Sequence, residues 1–161
     1  QKNHDFLFRW FKEILKKDSN SILFLVGDGE LREKLQQKAK ELDISSHVKF
    51  LGIRNDVKNL MFMSDAFLFP SHYEGLGIVL IEAQATGLQC IASNNIEPEA
   101  KVTSQIKTID ITASPEKYVD LALKSVEESR ESNRIKSYKE VQKAGYDISN
   151  TVEILEGIYS K

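Results

Sequence analysis

Two glutamates separated by seven residues mark the stretch of this 161-residue sequence that is best suited to chemistry. Glu74 and Glu82 lie in residues 70–87, which read PSHYEGLGIVLIEAQATG. Carboxylates accept hydrogen bonds strongly, and vicinal hydroxyls offer two donors at carboxylate spacing. Eight residues of helix rise about 12 Å, so we expect the two carboxylates to reach different parts of one extended ligand rather than share a proton.

The residues between the two acids predict a phosphate site. Gly75 and Gly77 allow the backbone to turn tightly and to approach a ligand closely. If a helix starts here, its unpaired N–H groups and its positive dipole end would bind an anion. A ligand with a central diphosphate and a hydroxylated ring at each end satisfies all of these features, and a nucleotide sugar is such a ligand.

The helix that follows this turn is expected to be mostly buried. Val79, Leu80, Ile81 and Ala83 make the surroundings of Glu82 apolar nearly all round. Because a buried carboxylate needs partners, ligand contact is favoured over a solvated glutamate on a helix face.

Alternating helices and strands must position these residues. The predicted strands are 21–27, 47–52, 65–70, 88–93 and, more weakly, 105–109; the predicted helices between them lie near 7–15, 31–42, 57–61 and 77–86. Short connections between such elements predict an α/β fold, a three-layer doubly wound Rossmann-like domain with a mainly parallel sheet. Ligands of these sheets lie outside the carboxyl ends of the strands, where residues 70–77 are placed.

The sequence becomes helical and charged after Asp110. Ser114 and Pro115 are typical of a helix start, and Gly145 would close a further helix. Apolar positions predict three helices, with Tyr118, Leu121 and Ala122 on the first, Ile135, Tyr138 and Val141 on the second, and Val152, Leu155 and Tyr159 on the third. We therefore predict one domain over 1–161, with an α/β core in 1–110 and C-terminal helices in 111–161.

Composition excludes several function classes. The formal net charge of −2, without a basic stripe, argues against a nucleic-acid partner. The single cysteine, Cys90, is expected to be buried and inert, and it favours a reducing, cytoplasmic location. No stretch of about 20 apolar residues is present, so membrane contact would be at most peripheral, at the inner face. The opening at Gln1 suggests a fragment of a longer protein.

The stretch PSHYEGLGIVLIEAQATGLQCIAS resembles the donor-binding signature of family 4 retaining glycosyltransferases, which have the GT-B fold. The stretches QKNHDFL, FLVGDGELREKL, VKFLGIRNDVKNLM and SDAFLFPS follow the order and approximate spacing of that family's nucleotide-sugar domain. The resemblance covers residues 1 to about 100. It implies one half of a GT-B fold, from a two-domain enzyme of the capsular or exopolysaccharide biosynthesis type.

The resemblance also implies roles for individual residues. Glu74 would be the catalytic residue that hydrogen-bonds the transferred sugar, Glu82 would hold the ribose, and Lys2 would neutralise the diphosphate. The phosphates would meet the amides of Gly75, Leu76, Gly77 and Ile78, and the base would lie against Ile53 and Arg54. The implied ligand is a nucleotide-diphosphate sugar, with neither a cofactor nor a metal.

Two departures from the family pattern affect this reading. The family's Gly-Arg pair, at the end of a first strand that would be central in the sheet, has no counterpart before Lys2. Gln89 and Cys90 stand where proline and valine are common, a change expected to affect packing more than chemistry. Either another part of the protein completes the sheet, or this chain compensates in a way that its sequence does not reveal.

The implied function is sugar transfer with retention onto a polysaccharide or related glycan. The glycan or lipid-linked acceptor would be bound through a further N-terminal domain, so the chain alone is expected to be inactive. Two alternatives stay open: a nucleotide-sugar epimerase or hydrolase of related fold, and a non-catalytic Rossmann-like regulatory module. A catalytic triad of Ser71, His72 and Glu74 is disfavoured, because adjacent residues of an extended segment point in different directions.

Overall fold

The computed structural model of the chain describes residues 1–130, 134–147, 149, 152 and 156. Strands and helices alternate along this part of the chain, as the sequence predicts. The elements are α1 (His4–Lys17), β1 (Leu23–Val26), α2 (Arg32–Glu41), β2 (Val48–Gly52), α3 (Val57–Met63), β3 (Ala66–Phe69), α4 (Ile78–Ala85), β4 (Gln89–Ser93), β5 (Ile106–Ile109), α5 (Val119–Arg130) and α6 (Arg134–Lys143).

The strands form two parallel sheets. In the first sheet β1 pairs with β2, so that Leu23 lies opposite Val48. The second sheet has the order β3–β4–β5, and Cys90 of its central strand lies opposite Phe67 and Ile106. Within the described residues, no hydrogen-bonded ladder joins β1 to β3. A doubly wound sheet without its central strand would be divided in this way.

Alternate residues of β4 face opposite layers of helices. Cys90 and Ala92 pack in one buried cluster with residues of α3 and α4, whereas Ile91 packs in a second cluster with residues of α1 and α5. Cys90 is buried, as predicted, and burial raises the pKa of its thiol above the usual value. The helix–sheet–helix layering confirms the predicted three-layer α/β fold.

Helix α1 contacts both sheets. Its start is capped by Asn3, whose side-chain oxygen accepts a hydrogen bond from the Phe6 amide at 3.4 Å. Two stripes of the helix are buried. One stripe packs against β4, β5 and α5 and consists of Phe6, Trp10 and Ile14. The other packs against β1, β2 and α2 and consists of Leu7, Phe8 and Phe11. The two-sided burial of α1 joins the separate sheets, together with Leu68 of β3, which packs against both clusters.

The C-terminal part begins differently from the sequence prediction. Ser114 and Pro115 open a 3₁₀ turn, Pro115–Tyr118, and α5 follows from Val119. Helix α6 confirms the second predicted helix. The third, predicted from Val152, Leu155 and Tyr159, lies largely outside the described residues. Along the described chain no helix combines the length and apolar character that crossing a membrane requires.

A buried amide side chain connects α4 to the loop after β4. Gln84 is fully buried, and its amide nitrogen donates to the Ala100 carbonyl at 2.7 Å. Its side-chain oxygen accepts from the amides of Val102 at 3.1 Å and Thr103 at 3.0 Å. These bonds satisfy backbone groups that would otherwise be buried without partners, and they hold α4 in place against this loop.

A glycine allows α6 to approach the end of α4. Gly87 has a φ of 76°, and a Cβ at this position would lie 2.8 Å from the Cα of Arg134. Arg134 in turn donates to the Phe62 carbonyl at 3.1 Å and lies over the Phe62 ring. Close backbone contact at Gly87 therefore fixes α6 against α3 and α4.

Replacing Gln84 should destabilise the fold. In Gln84→Leu, the backbone groups of Ala100, Val102 and Thr103 lose their partners. We expect a loss of about 3 kcal/mol or more, because each of the three orphaned groups costs about 1–3 kcal/mol. Urea unfolding followed by circular dichroism measures this change. The matched control is Gln37→Leu on the exposed surface of α2, which should alter stability by less than about 0.5 kcal/mol. Equal losses in the two variants would contradict the structural role of Gln84.

Replacing Gly87 should separate backbone strain from steric contact. Gly145 also has a positive φ, of 92°, but a Cβ there meets no atom of the described residues within 4 Å. Both Gly→Ala variants carry the strain, and only Gly87→Ala carries the clash. We expect Gly87→Ala to be less stable than Gly145→Ala by about 1–3 kcal/mol, the usual cost of overpacking. Thermal unfolding of both variants tests this, and indistinguishable melting temperatures would refute the close contact.

Candidate functional site

The candidate site lies at the carboxyl end of β3. Pro70 follows the last residue of this strand, and Gly77 serves as the N-cap of α4 with a φ of 68°. No side chain among the described residues caps α4, so its first amides are not occupied by a capping group. The glycine-containing turn thus produces the helix start that the sequence predicts, with Ile78 as its first and largely exposed residue.

Lys2 and Glu74 meet beside this helix start. The Lys2 ammonium lies 2.8 Å from a Glu74 carboxylate oxygen and 5.1 Å from the centre of the Phe69 ring. The Glu74 side chain is 10% exposed and that of Lys2 is 48% exposed. A Cβ on Gly77 would lie 3.9 Å from the Glu74 Cβ, so Glu74 packs close to the N-cap of α4.

Hydrogen bonds connect three loops at this edge of the sheet. The His72 amide donates to the Gln1 carbonyl at 2.9 Å, and the Asn95 side chain donates to the His72 carbonyl at 3.2 Å. The loop after β4 is turned by the Ser93 hydroxyl, which accepts from the Asn95 amide at 3.1 Å. Sequence reasoning did not select Asn95, although it lies in a loop that follows a predicted strand at the ligand-binding edge.

Glu82 is exposed, so the prediction that it is buried is wrong. Leu80, Ile81, Ala83 and Gln84 take the buried positions of α4. Glu82 lies four residues after the exposed Ile78, and residues at that spacing share one face of a helix. The buried polar side chain of α4 is Gln84. The predicted helical rise of about 12 Å between the two acids assumed a helix from Glu74 to Glu82. That assumption is wrong, because α4 begins only at Ile78, and a rise of about 6 Å separates Ile78 from Glu82.

A cavity of about 540 Å³ opens beside Glu82. Its walls come from α3, α4 and α6, and Asn55 from the loop after β2 also lines it. Apolar side chains such as Val57, Met61 and Ile135 line it together with the charged side chains of Lys58, Glu82 and Arg134. The cavity therefore brings Glu82 and the loop after β2 to one region, as a shared nucleoside site requires.

The loop after β2 exposes Ile53 and orients Arg54. Ile53 is 81% exposed. The Arg54 guanidinium donates two hydrogen bonds to the Asp56 carboxylate, at 2.7 and 2.6 Å. Those bonds lower the pKa of Asp56 and raise the pKa of Arg54. Asp56 thus holds the guanidinium, while the Arg54 side chain remains 42% exposed.

Two other motifs take structural roles. Residues 27–29 form a strand-to-helix turn, in which the Gly29 carbonyl accepts from the Arg32 amide at 3.0 Å. Ser71 is buried and His72 is exposed, so these neighbours point in different directions, as expected of residues that form no triad. Across the described residues, no group of three or more His, Cys, Asp or Glu side chains could hold a metal ion.

Known proteins show the same organisation. The family Glycosyl transferases group 1 matches residues 1–142. Over 95 residues the chain is 41% identical to a putative glycosyltransferase, EpsF, of Bacillus subtilis. The matched region covers 59% of this chain and 25% of that protein. It is 37% identical over 97 residues to an Escherichia coli UDP-Gal:alpha-D-GlcNAc-diphosphoundecaprenol alpha-1,3-galactosyltransferase, again with 25% of that protein covered. The chain thus spans about a quarter of the length of these relatives.

Solved structures agree with the fold. The lipopolysaccharide biosynthesis glycosyltransferase WaaG superposes with a TM-score of 0.70 at 26% identity, covering 91% of this chain and 40% of that one. The Anabaena protein HepE, solved with UDP, superposes with a TM-score of 0.77 at 20% identity, covering 99% and 46%. The parallel α/β architecture is that of one half of a GT-B glycosyltransferase, and the chain belongs to the family of group 1 glycosyl transferases.

Proposed function

We propose that this chain is the donor-binding part of a retaining glycosyltransferase that transfers a sugar from a nucleotide sugar to a polysaccharide or related glycan. The observation that carries the proposal is the position of Lys2 and Glu74 beside the uncapped start of α4. A cation, a carboxylate and free helix amides within one small region suit a ligand that carries both phosphate and hydroxyl groups.

The donor would extend along α4. Its diphosphate would accept hydrogen bonds from the amides of Gly75, Leu76, Gly77 and Ile78 and meet the charge of Lys2. Its ribose would bind Glu82 at the rim of the cavity, and its base would contact the backbone at Ile53 and Arg54. The transferred sugar would lie at Glu74. In this arrangement each of these groups contacts a different part of one ligand.

Catalysis would depend on stabilising the leaving group. Negative charge builds on the departing diphosphate as the bond to the sugar breaks, and fixed positive groups around it lower the barrier. Lys2 and the positive end of α4 supply such groups without a metal ion. Glu74 would hold the sugar in position while the acceptor attacks.

The names of the relatives suggest the biological setting. Among them are the B. subtilis putative glycosyltransferase, the E. coli galactosyltransferase and lipopolysaccharide glycosyltransferases. By analogy, this protein would act in polysaccharide synthesis in the cytoplasm, at the inner face of the membrane. Because the relatives are about four times as long as the matched segment, we propose that the glycan or lipid-linked acceptor is bound mainly by a further domain.

Titration of the 161-residue chain with UDP-glucose and UDP-galactose tests the proposal. We expect NMR amide shifts centred on residues 75–78 and on Glu82, without transfer of sugar to an added glycan. Formation of an epimer or free sugar would instead favour an epimerase or hydrolase. No amide shift with any uridine, adenosine or guanosine diphosphate sugar would favour a non-catalytic module, and transfer by this chain alone would refute a separate acceptor domain.

Lys2→Met should weaken the binding of UDP by about tenfold or more, because a hydrogen bond to a charged group contributes about 1.5–3 kcal/mol. The matched control is Lys17→Met. Lys17 is the last residue of α1 and pairs with Asp120 of α5. This control should leave the affinity unchanged. Isothermal titration calorimetry measures both variants, and an equal affinity for Lys2→Met and the wild type would remove Lys2 from the diphosphate site.

A further inference from the structure

Lys2 and Glu74 form an ion pair although the proposed donor needs each of them separately. The two groups are 2.8 Å apart, and the described residues offer neither side chain a second hydrogen-bond partner. A diphosphate would attract the ammonium, whereas a sugar would bind the carboxylate. Binding of the donor therefore has to draw Lys2 at least partly away from Glu74.

The two partners respond differently to separation because their exposure differs. Lys2 is about half exposed and, once it binds phosphate, keeps an anionic partner. The Glu74 side chain is only 10% exposed and its Cβ lies close to Gly77, so it is solvated less fully than Lys2. A largely desolvated carboxylate without a partner is costly. The loss of Lys2 thus penalises any ligand that supplies no hydrogen-bond donor to Glu74.

Sugar hydroxyls would remove this penalty. Each hydroxyl donates one hydrogen bond, and a carboxylate accepts several. The intact nucleotide sugar brings such donors to Glu74 together with the phosphates that attract Lys2. A nucleoside diphosphate brings only the phosphates. The donor substrate therefore gives new partners to both Lys2 and Glu74. The nucleoside diphosphate that remains after transfer gives a new partner to Lys2 alone.

We propose that Glu74, through its ion pair with Lys2, makes the site select the intact nucleotide sugar over the nucleoside diphosphate. The inference rests on the proposed function and deepens it, because it assigns Glu74 a role in specificity. One consequence is that the spent nucleotide leaves readily, since Lys2 returns to Glu74 when the sugar has gone.

The test compares the affinities of UDP and of the UDP-sugar that the wild-type chain binds best. In Glu74→Gln the neutral amide competes less for Lys2, so UDP should bind about threefold more tightly, which is the value of an ion pair with one half-exposed partner. The UDP-sugar should bind about tenfold more weakly, because it loses hydrogen bonds to a charged acceptor. The preference for the sugar-bearing ligand should therefore disappear.

The matched control is the same substitution at the other glutamate. Glu82→Gln acts on the ribose, which both ligands contain, so it should weaken both by the same factor and leave their ratio unchanged. If the ratio of UDP-sugar affinity to UDP affinity falls equally in Glu82→Gln and Glu74→Gln, the assignment of selectivity to Glu74 is overturned.

A double variant shows whether the effect depends on Lys2. With Lys2→Met in place no ammonium can be released, so adding Glu74→Gln should leave UDP affinity unchanged. Tighter UDP binding in this background would show simple repulsion between Glu74 and phosphate, which contradicts the proposal. UDP binding that is unchanged or weaker in Glu74→Gln alone would also overturn it, because Glu74 would then orient Lys2 rather than compete for it.

The two levels of the hypothesis fail in different ways. If the wild-type chain binds no nucleotide or nucleotide sugar, the proposed function fails, and the selectivity of Glu74 fails with it. If the wild-type chain binds both ligands but Glu74→Gln leaves their ratio as it was, only the inference about Glu74 fails.

Discussion

The two-sided burial of α1 is the constraint on which the rest of the structure depends. Within the described residues, no backbone hydrogen bonds join the β1–β2 sheet to the β3–β4–β5 sheet. The aromatic stripes of α1 contact both sheets instead, with Phe6 and Trp10 on one side and Phe8 on the other. Burial of such large side chains contributes on the order of 1.5–3 kcal/mol each. Among the described residues, apolar packing therefore provides the contact between the two sheets.

This constraint also builds the candidate site. Lys2 and Asn3 directly precede α1, and Asn3 caps its first turn. Because the helix is anchored by its core side chains, its start is held beside β3, where Gln1 accepts a hydrogen bond from His72. Lys2 is thereby brought to Glu74, 72 residues away in the sequence. The electrostatics of the site follow from the packing of a helix that otherwise serves the core.

Local sequence patterns predicted much of this structure. Apolar runs located the strands, and the glycines around residue 76 located the start of α4, because both signals depend on short-range geometry. The exposure of Glu82 was missed because apolar neighbours suggested burial on all sides, whereas the helical period places Glu82 on the same open face as Ile78. The bond from Asn95 to His72 and the ion pair of Lys2 arise from contacts between distant segments. No periodicity in the sequence encodes such contacts.

The division of the sheet has a consequence for any bound ligand. The loop with Ile53 and Arg54 leaves the β1–β2 sheet, whereas Glu74 and α4 belong to the β3–β4–β5 sheet. A molecule that touches both would connect two sheets whose described strands share no hydrogen bonds. Its binding energy would add to that of α1 in holding the halves together, so occupancy and cohesion of the protein would rise together.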